Sequence, residues 1–322
     1  MSVLAFVVIA FMLTAYVLLD GYDLGVAAIA PIVARTDDER CAAMQAIGPF
    51  WNGNEVWLIA AGGALFAMFP LAYASAFSGF YLPLMVMLWL LMGRGIALEL
   101  REHFPSAIWH QFWDAMFSIS SVLLIVIFGV ALGNLIRGVP LDPQGYFNGT
   151  FAFLLNPFSL LVALFAVAAL ALHGAAFLAW RVEGAVAVRA RKLGRALWIV
   201  CAVVLIATSG MAIVTRGGII FSWAGIAGIV ALSLLLGYQG ASARNNDRSA
   251  FAATSAFVVA LMAVAAGTIF PYLVPAYPAG TGGISIYSAA PSPPALLSAL
   301  VVTIVGIVAV CIYSTVVWKK MI

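Results

Sequence analysis

Charge is what this sequence has least of. Asp, Glu, Lys and Arg make up 8% of its 322 residues and 65% are hydrophobic, whereas a soluble domain is roughly one quarter charged. Mean hydropathy is +1.12. Fifteen Lys+Arg against 12 Asp+Glu leave a net charge of +3, too little for a nucleic-acid partner. Cysteine is scarce as well: Cys41, Cys201 and Cys311 stand far apart. That excludes a disulfide framework and disfavours a zinc or iron–sulfur site, which needs paired thiols. Of three histidines, His103 and His110 lie in or beside a loop, and His173 is alone in an apolar run. A bis-histidine haem pocket needs two at membrane depth, so this chain cannot build one. A lone histidine on an apolar helix is more often a hydrogen-bonded packing residue than a ligand. No Walker loop, HExxH or dinucleotide fingerprint occurs, no fixed-period repeat is visible, and no polar stretch is long enough to fold alone.

Long apolar runs are what the sequence has instead. About 20 such residues cross a bilayer core, and that template gives nine spans, near 3–33, 50–69, 75–100, 107–136, 153–180, 194–214, 217–239, 250–273 and 294–318. The first has no basic residue before it and reads as a retained helix rather than a cleaved leader. Polar breaks at 36–40, 183–192 and 242–248 separate spans, and Pro70, Pro271 and Pro275 close others. The expectation is an all-α, polytopic membrane protein, one integral domain over 1–322, with nine transmembrane helices in a bundle. Charge sets its orientation. With the N-terminus outside and the C-terminus cytoplasmic, twelve Lys and Arg fall on the cytoplasmic side and only Arg137 and Arg216 on the other, a strong positive-inside bias. The outer connections near 137–152 and 274–293, rich in Gly, Pro and Ser, read as ordered caps or loops.

The remaining cation, Arg94, lies inside a span. Ionisable groups there cost several kcal/mol unless paired or hydrated, so each is a functional candidate. Arg94 stays charged and calls for a fixed ion pair. Asp20 and Asp23, three apart, share a helix face, and Gly21 and Gly25 beside them allow another backbone to approach. Two carboxylates so placed suit a proton relay or a cation site, or else cap or pair within the bundle. In Trp51-Asn52-Gly53-Asn54-Glu55-Val56-Trp57, helical spacing puts Trp51 and Asn52 on the face of Glu55. Tryptophans at a span edge form an interfacial belt; two asparagines and a glutamate between them point to a buried polar network. Glu99 and Glu102 read as snorkelling side chains, and Trp113-Asp114 as an edge pair.

These blocks, in order, resemble a known family. LDGYDLG (19–25), IGPFWNGNEVWLIAAGGALFAMFP (47–70), YASAFSGFY (73–81), GRG (93–95), WD (113–114), GNLIRGVP (133–140), LLNPFSLL (154–161) and FPYLVP (270–275) are similar to subunit II of cytochrome bd-type quinol oxidases. The resemblance covers most of the chain and is densest over 19–181. It implies a nine-helix, haem-free partner of a haem-bearing subunit I in a heterodimer. In such a complex subunit I carries two b-type haems and one d-type haem, quinol is oxidised, and O2 is reduced to water with cytoplasmic protons, electrogenically. It implies no cofactor bound by this chain alone, and leaves open a bound quinone and small single-helix accessory subunits. It also implies a bacterial or archaeal cytoplasmic membrane.

At the position of Asn52 the family often holds an aspartate on a proton path. An amide cannot relay by ionising, and Glu55 is the substitute. Trp57 resembles a position lining an oxygen route through the subunit interface, with Trp51 beside it. The expected proton path is therefore Glu55, Asn52, Asp20 and Asp23, with Arg94 as the structural ion pair. The competing reading is an ion-coupled secondary transporter using the same charges, although the inverted repeats of that class are missing.

Overall fold

The computed structural model describes residues 1–216, 224–278 and 280–321. Its helices are α1 (Ser2–Val33), α2 (Asp37–Ile47), α3 (Trp51–Met68), α4 (Pro70–Gly79), α5 (Tyr81–Leu100), α6 (Ala107–Arg137), α7 (Phe151–Leu154), α8 (Pro157–Arg181), α9 (Ala185–Arg216), α10 (Ala224–Ala243), α11 (Asp247–Ile269) and α12 (Pro293–Met321). One antiparallel hairpin, β1 (Tyr272–Pro275) with β2 (Gly283–Ser285), follows α11. The fold is all-α.

Among the described residues, seven helices are long and apolar enough to cross a membrane by length and composition: Ser2–Val33, Tyr81–His103, Ala107–Arg137, Pro157–Arg181, Ala185–Thr215, Asp247–Ile269 and Pro293–Lys320. The short α3 is not one of them, because its polar WNGNE opening dilutes the run that follows. The start of the expected seventh span, 217–223, lies outside the described residues.

Helix ends depart from the apolar runs where local chemistry intervenes. The expected third span is broken at Phe80, where Pro83 removes an amide from the first turn of α5. The fifth begins as the single turn α7, and α8 restarts at Pro157 with Asn156 accepting from the Ser159 amide, a side-chain N-cap. The 183–192 break is largely helical, since α9 starts at Ala185 and carries Arg189, Arg191 and Lys192 on its first turns. After α11 the chain makes a hairpin that the apolar pattern did not announce.

α1 is the central helix. Its 32 residues rise about 48 Å, and it packs against α3, α6, α8 and α11. The approach to α8 is backbone-close. A Cβ at Gly25 would collide with the Leu170 backbone, and one at Gly174 with Gly25 and Val26. At one end of the bundle, α2 is fixed by a capping box between Thr36 and Glu39. At the other, Arg137 lies between the rings of Phe153 and Tyr277, 4.6 and 4.3 Å from their centroids. This pins the hairpin to α6.

Candidate functional site

α1 supplies Asp20 and Asp23, α3 supplies Asn54 and Glu55, and α5 supplies Arg94; the three helices bring these side chains to one level of the bundle. The Arg94 guanidinium grips Asp20 with both nitrogens: Nη1 donates to Oδ2 at 2.9 Å and Nη2 to Oδ1. Neither side chain is exposed at all. Glu55 Oε1 lies 3.4 Å from Arg94 Nη1, with 19% of its side chain exposed. Arg94 thus bridges a buried carboxylate and one at the edge of the bundle. A planar fork suits that geometry better than an ammonium would.

Asp23 is held differently. Asn54 Nδ2 donates to its Oδ2 at 2.8 Å, and also reaches Tyr22 Oη at 3.0 Å and Leu19 O at 3.2 Å. Asp23, Tyr22 and Asn54 are all buried. The asparagine at the centre of the network is therefore Asn54. Asn52 is exposed on the outer side of α3 and is not brought to the cluster. Sequence spacing grouped Asn52 with Glu55 correctly as helix neighbours, but the rotation of α3 against α1 selects Asn54.

Trp51 packs its ring against Gly95, where a built Cβ would lie 3.3 Å from it. It therefore covers α5 beside Arg94. Trp57 is buried, meets Phe11 edge-on at 5.8 Å, and borders a small cleft of about 140 Å³ with Met12 and Gly306. Among the described residues its indole N–H has no acceptor. His173 is fully buried. Its Nε2 donates to Leu18 O at 3.1 Å, and Nδ1 pairs with Thr254 Oγ1 at 2.9 Å, so both ring nitrogens are engaged in packing α8 to α1 and α11.

A second charged group closes the end of the bundle where α2 lies. Arg101, 1% exposed, donates from Nε to Asp114 at 2.7 Å and from its other nitrogens to Asp37 and Glu102. His110 Nδ1 sits 3.0 Å from Asp37. Arg189 donates to Val33 O at 2.6 Å and pairs with Glu39 at 2.6 Å. The Arg189 guanidinium, with the Arg35 and Thr36 amides, pulls the Glu39 carboxyl down to about 2. Glu102 and Asp114, read as a snorkelling and an edge residue, thus both belong to this network.

A buried Asp–Arg–Glu cluster inside a bundle of apolar helices defines a multi-pass membrane protein with ionisable chemistry at its core. The family model described as cytochrome bd terminal oxidase subunit II matches residues 1–321, and the chain belongs to that family. It is 39% identical over 184 residues to cytochrome bd-I ubiquinol oxidase subunit 2 of Escherichia coli strain K12, covering 56% of this chain and 48% of that protein. It is 32% identical over 206 residues to cytochrome bd ubiquinol oxidase subunit 2 of Bacillus subtilis strain 168, covering 64% and 61% respectively. These alignments thus span about half to three fifths of the relatives' length. In fold, it is similar to a chain in the structure of bd oxidase from Geobacillus thermodenitrificans. The TM-score is 0.84 at 16% identity, over 100% of this chain and 98% of that one.

Proposed function

We propose that this chain is the haem-free subunit II of a bd-type quinol oxidase in a bacterial cytoplasmic membrane. It forms a heterodimer with a haem-bearing subunit I, stabilises that subunit, and helps route protons and O2 to its haems. In this reading the complex oxidises quinol and reduces O2 to water electrogenically, with two b-type haems and one d-type haem in subunit I. The chain is one integral domain crossing nine times, N-terminus outside and C-terminus cytoplasmic. The twelve-to-two split of cations supports that orientation.

The observation that carries the reading is Arg94, fully buried between Asp20 and Glu55. A bidentate pair with Asp20 fixes the cation, and Glu55, reached by the same guanidinium and partly exposed, is the cluster's outward acid. Asn52 is exposed, and Glu55, whose Oε1 is buried toward Arg94, keeps 19% of its side chain exposed. Polar groups at a lipid-facing position are costly, so a protein partner over that face suits them better than acyl chains. Glu55 relays protons from the cluster toward that partner; Asp20 and Asp23 hold the charge pattern behind it; Trp57 and Trp51 line the interface and the oxygen route.

An absorption spectrum of membranes tests the partnership. Co-expression with subunit I should give d-type haem bands that co-purify with a tag on this chain. Expression of this chain alone should give none. Haem bands from this chain by itself would overturn the reading.

A further inference from the structure

The end of the bundle that carries α2 also carries a cleft of about 490 Å³ between α1, α2 and α6. Arg40, Gln111, Asp114 and Ser118 give it polar lining, with Met44, Phe117 and Ile119 among the apolar residues beside them. Arg40 touches Asp114 only at 3.4 Å, while Arg101 holds that carboxylate at 2.7 Å. Most of the Arg40 donors are therefore left for solvent at the rim.

We propose that this cleft is a water-filled vestibule, and that Ser118 and Ser121 of α6 lead hydrogen-bonded water from it to the buried Asp20–Asp23–Arg94–Glu55 cluster. The inference rests on the reading of that cluster as a proton path and supplies its entrance.

Register carries the argument. Asp114, Ser118 and Ser121 stand at i, i+4 and i+7, on one face of α6, and span about 10 Å along its axis. Near the mouth, Ser118 lines the cleft opposite Ala30 and Pro31 of α1. Further in, Leu124 and Ile125 pack with Leu24 of α1. The two helices run antiparallel, so Ser121 falls between these levels, opposite the small Ala27–Ala28 turn and about one turn from Asp23. The register of α5 agrees: a Cβ built at Gly93, next to Arg94, would lie 3.4 Å from Ser120 Oγ.

The hydroxyl of Ser121 supplies a second observation. A serine or threonine inside a helix commonly satisfies its hydroxyl on the carbonyl four residues back, as Thr14 and Ser255 do here at 2.7 and 2.8 Å. Ser121 does not. It is 0% exposed, and its Oγ has no hydrogen-bond partner among the described residues. The same holds for Asp23 Oδ1 and Arg94 Nε in the cluster beyond. Buried polar atoms left unpaired by protein take water where the site is polar and roomy. A hydroxyl both donates and accepts, so it passes a proton along a water file without carrying charge into the membrane.

Accessibility tests this in the assembled protein in oriented vesicles, with Cys41, Cys201 and Cys311 replaced by Ser. Single variants Ser118→Cys, Ser121→Cys, Ile125→Cys and the exposed marker Asp38→Cys are treated from either face with the permanently charged, membrane-impermeant methanethiosulfonate-ethyltrimethylammonium. Ser118→Cys and Ser121→Cys should be modified from the face that modifies Asp38→Cys and protected from the other, with Ile125→Cys unreactive from both. An assembled Ser121→Cys that stays unreactive overturns the proposal. Radiolytic hydroxyl-radical footprinting of the unaltered protein needs no variant. The cleft-lining Met44 should oxidise well above the core Met68, and equal oxidation also overturns the proposal. Neither readout depends on turnover, so an accessible Ser121 beside a fully active Glu55→Gln would leave the vestibule standing and remove the proton path.

Discussion

Arg94 and Asp20 form a two-pronged ion pair with no exposed surface on either side chain, joining α5 to α1 in the middle of the bundle. In a protein with so few charges, this pair fixes α5 against α1, and with it the place from which Arg94 meets Glu55 of α3. Removing one partner of a buried pair costs about 3–5 kcal/mol, whereas removing both costs far less. Arg94→Leu should therefore sharply lower the yield of assembled complex, with turnover per assembled complex little changed. Arg94→Met with Asp20→Leu should recover much of the yield. Normal yield with lost turnover in Arg94→Leu would make the residue catalytic instead.

His173 should supply no axial ligand, since Leu18 O and Thr254 Oγ1 occupy both of its nitrogens. His173→Gln should leave all three haem bands of the purified complex in place and lower its stability by about 1–3 kcal/mol, the cost of a buried hydrogen bond lost. Loss of a haem from an assembled complex would contradict that.

The Glu39–Arg189 pair ties α2 and the end of α1 to α9. Its carboxyl falls from an ordinary 4.5 to about 2 in the folded protein. A depressed carboxylate contributes stability above its unfolded value and loses it as pH falls through the folded one. The stability gap between the parent and Glu39→Gln should therefore be constant from neutral pH to about 5, then close between about 4.5 and 2. Thermal unfolding across that range measures it. A gap independent of pH would mean the glutamate acts only by shape.

Orientation follows from the charge split. Reporter fusions after residues 45, 190 and 246 should be cytoplasmic, and those after 145 and 283 should not. The reverse pattern at 190 would invert the topology.

Much of this was legible in the sequence because a bilayer imposes long apolar runs, and a charge inside one demands a partner. Asp20, Glu55 and Arg94 stood out for that reason, and Gly25 for its place beside the carboxylates. What the pattern did not carry was rotation and local capping. Asn52 and Asn54 are equally polar and flank one glycine, and only the packing of α3 on α1 sends Asn54 to Asp23. The start of α9 within a charged stretch was hidden because span reading stops at charge, whereas a helix does not. The β1–β2 hairpin lies in a Gly- and Pro-rich segment without alternation, and Ala276 just past β1 bridges Val139 far away in sequence.

The central claim is that Glu55 relays protons from this subunit, and Glu55→Gln tests it most directly. Glutamine keeps the size and most hydrogen bonds of the side chain and removes only its capacity to exchange a proton. Oxygen uptake per haem by the assembled variant should fall and become limited by proton delivery. Asn52→Asp in the same background should restore part of the rate by placing an acid on the same exposed side of α3. An assembled Glu55→Gln complex that consumes oxygen at the parent rate from about pH 6 to about pH 8, on either side of a neutral relay's working range, would contradict the claim.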